Sequence, residues 1–194
     1  MSKQTITSPL GVAVYPRLTK PDTKFVEEGI YKADIRVPSK EAEPFMNMLS
    51  KTFKEHTGKA PNKTDNPMWV VEQDDEGNPT GTVLFKMRVK NRTTKRGDLW
   101  DRKPKLFDAQ LNPLNGVDPW GGTEMRVSCE VYAWTAGVKK GVSLQPQAVQ
   151  ITKLVEGGGG GDASGFGFDA TEGFVGESNP FTTEEDATPS QEDF

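Results

Sequence analysis

Four cationic side chains fall on alternate residues: Lys86, Arg88, Lys90 and Arg92. Val83, Phe85, Met87 and Val89 occupy the opposite phase. That period of two predicts a half-buried strand over residues 82–92. Its cations then lie roughly 6.6–6.8 Å apart on one face, which suits the phosphates of an extended single strand. A sheet face with fixed positive charges can track a nucleic-acid backbone. No acidic residue interrupts the row in sequence. The loop that follows, 93–105, adds Lys95, Arg96, Arg102, Lys103 and Lys105 around Trp100. An ordinary solvated face is the competing explanation.

Aromatic rings on polar phases strengthen the nucleic-acid reading. Tyr132 and Trp134 share the phase of Arg126 in the segment 124–134, whose apolar phase is Met125, Val127, Cys129, Val131 and Ala133. Bases stack on such rings at about 1–3 kcal/mol each, whatever the sequence. The alternative is that the rings cap the barrel end or pack under a loop. Tyr15 and Phe25, near Arg17, Lys20 and Lys24, are weaker candidates, and Lys139 and Lys140 add charge in the turn 137–141.

Catalytic chemistry finds little footing. His56 sits beside Glu55 on an expected surface helix, and Cys129 is on an inward phase. One His and one Cys cannot build a His/Cys zinc site. Phosphate-loop, dinucleotide and zinc-protease motifs are missing. No catalytic residue, metal or cofactor is expected.

The elements that must position these side chains follow from the same patterns. Residues 4–16 predict an interrupted strand with Leu10, Val12 and Val14 around Gly11, and its bracketing prolines point to a sheet edge. Residues 30–37 alternate cleanly, with Tyr31, Ala33, Ile35 and Val37 on one face and Lys32, Asp34 and Arg36 on the other. Residues 41–56 change to helical spacing through Phe45, Leu49 and Phe53, with Pro44 in the first turn and Gly58 past the end. Trp69 to Val71 suggests a short strand. A last strand over 142–155 is broken at Pro146. Hairpin-connected strands plus a lone helix predict a small antiparallel β-barrel.

The last 38 residues differ in kind. Gly157 to Gly161 open them; nine acidic residues follow without one Lys or Arg. Residues 1–156 thus hold all 24 Lys and Arg against 19 of the 28 acidic residues, a charge of +5. Residues 1–156 are expected to fold as one domain, and 157–194 to form a disordered acidic tail. As a flexible coil the tail spans roughly 34 Å, against a domain diameter of roughly 40 Å. It could therefore occupy the domain's own basic face as a nucleic-acid mimic. A solubility role is the plainer alternative. The terminal Glu192-Asp193-Phe194 suits a partner's pocket. No apolar run reaches membrane-spanning length, so a soluble cytoplasmic protein is expected, with no membrane partner.

Several segments resemble the single-stranded DNA-binding proteins of T7-like bacteriophages. They are Ile6-Thr7-Ser8-Pro9-Leu10-Gly11, Lys20-Pro21-Asp22, the run Gly29 to Pro38, Gly81 to Arg88, Gly121-Gly122, Tyr132-Ala133-Trp134, Gly141 to Leu144, and the acidic end Asp193-Phe194. The resemblance implies a mainly β, five-stranded antiparallel OB-fold barrel with one helix, binding single-stranded DNA without sequence preference. It implies roles in DNA replication, recombination and strand annealing in the cytoplasm of an infected bacterial host. It also implies a homodimer, and a tail that recruits the phage DNA polymerase and helicase-primase. Lys32, Arg36, Lys86, Arg88, Tyr132 and Trp134 match groove positions, and Lys3 an N-terminal contact. The segment between helix and central strand is shorter than the family's, and the tail is less densely acidic, so self-competition should be weaker. The rival reading is a phage protein-interaction or decoy module that binds no nucleic acid.

Overall fold

The computed structural model describes residues 4–61 and 68–156. Lys3 and the tail 157–194, including Glu192, Asp193 and Phe194, lie outside the described residues.

Among the described residues, helical spacing gives one helix, α1 (Ser39–Thr57), whose buried stripe is Ala42, Phe45, Leu49 and Phe53. Gly58 ends it. Its φ of 77° is left-handed, and its N–H donates to the Lys54 carbonyl at 2.8 Å, which satisfies one of the orphan carbonyls of the last turn. The helix begins earlier than its sequence suggests, so Pro44 lies inside it and not in its first turn. The missing proline amide removes a single bond close to the helix start, a tolerable place for it. Phe45 meets Phe85 edge-on, with ring centroids 5.0 Å apart, a contact worth about 0.5–1.5 kcal/mol beyond its buried area.

The strands are β1 (Gln4–Thr7), β2 (Gly11–Ala13), β3 (Arg17–Asp22), β4 (Ile30–Lys32), β5 (Ile35–Pro38), β6 (Trp69–Gln73) and β7 (Pro79–Phe85). After them come β8 (Arg88–Lys90), β9 (Arg92–Thr93), β10 (Leu99–Trp100), β11 (Lys105–Phe107), β12 (Glu124–Ala136) and β13 (Lys139–Lys153). The main sheet runs β11-β13-β12-β2-β5-β7-β6, with β1 also paired to β12. A second sheet runs β3-β4-β8, and β9-β10 is a small hairpin inside the expected loop 93–105.

The two sheets are halves of the same bent runs. β2 continues into β3, β4 into β5, and β7 into β8. Hydrogen bonding crosses the bend: Val14 N–H donates to the Asp34 carbonyl and Ala33 N–H to that of Met87, both at 2.9 Å. With β12 and β13, these make five long antiparallel runs, the OB-like arrangement expected. The barrel is open. The β7–β8 run and β13 meet at a single parallel bridge, Met87 in the bend to Leu144, and not along a ladder.

Inside lie Ile35, Val37, Val83, Phe85, Met87, Met125, Val127, Cys129 and Leu144, with the helix stripe against them. Burying a side chain the size of Phe85 contributes about 1.5–3 kcal/mol. Cys129 is core, as its phase indicates; burial pushes its thiol pKa well up.

Two sequence expectations need correction. β2 is interior, between β12 and β5, and its inward residues are Gly11 and Ala13 while Val12 faces out. A Cβ on Gly11 would lie 2.8 Å from Val37 Cγ2 and 2.9 Å from the Arg36 carbonyl oxygen. Only glycine allows β5 so close. Nor does Pro146 break the last strand. β13 runs through it, with the register shifting opposite Ser128 and Cys129, a bulge that accommodates a residue without an amide donor.

Candidate nucleic-acid interface

The pleat of β7 and β8 buries Val83, Phe85, Met87 and Val89 and turns Lys86, Arg88, Lys90 and Arg92 the other way. Register then assembles a row that sequence spacing does not show. Arg17 pairs with Lys32 and Lys32 with Arg88. Directly opposed residues of antiparallel strands share a face. Three cations from β3, β4 and β8 therefore stand side by side over roughly 10 Å.

A second cluster follows along β9 and β10. Arg92 and Trp100 are ladder partners. The Arg92 guanidinium lies 5.7 Å from the Tyr132 ring centre, and that of Arg102 lies 5.4 Å from the Trp100 ring centre. Arg102 also donates to Gln145 Oε1 at 2.6 Å, and its backbone N–H donates to Asn91 Oδ1 at 2.8 Å. The buried Asn91 carries that bond onward by donating to the Glu28 carbonyl. Tyr31 anchors the same loop through a hydrogen bond with Asp101. Burial first, and Asp101 second, push its phenol pKa up to about 12. Burial, then the neighbouring Arg92, lower the pKa of the Arg102 guanidinium. Two rings, each under a guanidinium and each partly open to solvent, can stack bases while the cations meet phosphates.

Acidic residues do reach the cationic face, from across the strands. Lys32 pairs with Asp22, Arg36 with Glu72 through two bonds of 2.6 and 2.8 Å, Arg88 with Asp34 at 2.8 Å, and Lys90 with Glu28 at 3.1 Å. The Lys32 hydrogen bond holds the Asp22 carboxyl below its ordinary pKa. Arg36 does the same for Glu72, and Glu28 is lowered by its own backbone N–H and then by Lys90. These partners fix the long side chains in place and reduce the charge they present. Arg17, Lys86, Lys139 and Lys140 form no direct salt bridge among the described residues, though Arg17 lies near enough to Asp22 to help lower its pKa.

The remaining candidates sit apart. Arg36 is on β5, tied to β6 through Glu72. Lys86 is half-buried at the bend. Lys139 and Lys140 are exposed beside the tip of the β12–β13 hairpin. Trp134 is half-buried and its ring lies across Gly141, where a Cβ would come within 2.3 Å of Cζ2. One face of that ring is therefore occupied. Sequence reading missed the roles of Asp34, Gln145 and the pairing of Arg102; only the closeness of Arg102 to Trp100 gave a signal.

No protein-family model matches the sequence, and no curated protein matches it. Solved structures do. The crystal structure of gp2.5, a single-stranded DNA-binding protein encoded by bacteriophage T7, matches with a TM-score of 0.64 at 22% identity, covering 81% of this chain and 96% of that one. The single-stranded DNA-binding protein from bacteriophage Enc34 matches at 0.56 and 17%, covering 82% and 88%. Its complex with single-stranded DNA matches at 0.58 and 16%, covering 78% and 88%. The chain has the fold of these phage single-stranded DNA-binding proteins. At such identities the likeness is one of fold. The surface just described belongs to this chain's own residues.

Proposed function

We infer that the protein binds single-stranded DNA without sequence preference and serves phage DNA replication and recombination. The observation that carries this reading is the pair of guanidinium–ring contacts, Arg92 on Tyr132 and Arg102 on Trp100, beside the row Arg17, Lys32 and Arg88. Stacked rings and phosphate contacts carry no sequence information, so such a surface takes any base. That a protein of this fold has been solved with single-stranded DNA bound supports the choice of ligand.

The finer parts of the reading rest on sequence. The acidic tail competes with DNA, and its terminal Phe194 recruits the phage polymerase and helicase-primase. The protein works as a non-enzymatic homodimer in the infected cell and promotes annealing.

The direct test is an anisotropy titration of single- and double-stranded oligonucleotides across salt. Affinity for the single strand should be higher and should fall steeply with salt, as neutralised phosphates release counterions. Failure to bind at low salt would remove the DNA reading in favour of a protein-interaction module.

A further inference from the structure

We propose a separate base-stacking subsite on the far side of β3, formed by Tyr15 and Trp120, that extends the DNA path beyond the cationic row. The proposal rests on the single-stranded DNA reading and adds to it a site that the basic strand does not contain.

Tyr15 has an unusual backbone. Its φ is 46°, a left-handed value costly for a residue with a Cβ. The backbone turns there between β2 and β3, and the side chain stays out of the core, 87% exposed. Trp120 is 54% exposed although its backbone is pinned: its N–H donates to the Val155 carbonyl at 2.7 Å, and its own carbonyl accepts from Thr123. Both residues line one open cavity of about 180 Å³ together with Arg17, Thr19, Lys20 and Asp118. That volume is below the range of drug-sized sites and suits a single ring.

The surrounding charge favours an anionic strand. Arg17 and Lys20 are cationic. The one carboxylate, Asp118, accepts the Thr19 hydroxyl. Thr19, Lys20 and Asp118 also border a neighbouring groove that carries Lys103 and Lys105. Arg17 belongs to both regions, since it lines the cavity and is the first cation of the Arg17, Lys32, Arg88 row. A strand following that row over the edge of β3 reaches the cavity lined by Tyr15 and Trp120.

The test uses the full chain and labelled oligothymidines of about 6 and about 16 nucleotides, spanning common OB-fold site sizes. Tyr15→Gly removes one ring at a backbone position glycine prefers, so its thermal midpoint should not fall. Combined with Trp120→Ala, it should weaken the longer oligomer about tenfold or more and the shorter one little. Trp120→Phe, which keeps a ring, should retain most of the affinity. With an abasic tract in the longer oligomer, wild type and double variant should bind alike. Unchanged affinity of the double variant for the longer strand would overturn the subsite, as would an equal loss on the abasic strand. Tighter binding by the variant would overturn it as well. If the wild type binds neither oligomer, the DNA reading itself fails and the subsite with it.

Discussion

Asp34 answers two donors at the bend between β7 and β8. One oxygen accepts the Met87 backbone N–H at 2.9 Å and the other accepts Arg88 at 2.8 Å. The residue is only 7% exposed, so the amide it satisfies has no water to replace it. Asp34→Ala should cost about 1–3 kcal/mol, the usual penalty for an orphaned buried donor. Asp34→Asn, which keeps an acceptor for Met87, should cost less. Denaturant midpoints of the two variants measure the difference, and equal midpoints for wild type and Asp34→Ala would remove this role. Sequence alone places Asp34 on the polar face with Lys32 and Arg36, which is the correct side. It cannot show that the carboxylate folds back into the bend, because the need for an acceptor arises only where two strands part. Trp134 teaches the same lesson. Its phase is polar, yet its ring lies on Gly141, and a cross-strand glycine becomes visible only once the register is set.

At the scale of elements, ion pairs tie neighbouring strands together: Lys32 with Asp22 joins β4 to β3, and Arg36 with Glu72 joins β5 to β6. The carboxyls of Asp22, Glu28 and Glu72 are all held below their ordinary pKa values. A depressed folded-state pKa gives stability that is complete above the unfolded value, near 4, and lost as pH falls through the folded value. Tyr31 works in the opposite direction. Its raised pKa gives stability present below about 10 and lost as pH climbs toward about 12. Unfolding midpoints should therefore fall below about pH 4.5 and again above about pH 10. Tyr31→Phe should remove its share of the alkaline limb, and an unaltered alkaline limb would discount the phenol. The strands that carry the site were legible where side chains alternate strictly, as from Val83 to Arg92, because the pleat repeats every two residues. β2 was not legible. Its small inward residues, Gly11 and Ala13, and outward Val12 invert the apolar signal, since tight packing against β5 outweighs hydrophobicity there. The acidic partners of the basic row were hidden for a related reason: they come from other strands, and register is not written in local spacing.

For the whole molecule, the decisive asymmetry is between residues 1–156, with a net charge of +5, and residues 157–194, with nine acids and no base. Much of the body's cationic face is already neutralised internally, through Asp22, Asp34, Glu28 and Glu72. On our reading, single-stranded DNA must therefore compete with these paired carboxylates of residues 1–156 and with the acids of residues 157–194. The two kinds of competitor respond differently to salt. A partly buried ion pair is screened less, whereas acids that compete through diffuse long-range attraction lose it beyond about 10 Å at 0.1 M salt. Deleting Gly157–Phe194 should thus tighten single-stranded DNA binding on the order of tenfold at low ionic strength, and the gain should shrink as salt rises and screens the tail. Titrations of the full and truncated chains at two salt concentrations measure this directly. A gain that persists undiminished at high salt would point to a specific docked contact in place of diffuse competition. No gain at low salt would leave the acids without a role at the DNA surface. Replacing Phe194 alone removes no charge, so it should leave DNA affinity unchanged and affect only capture of a partner protein.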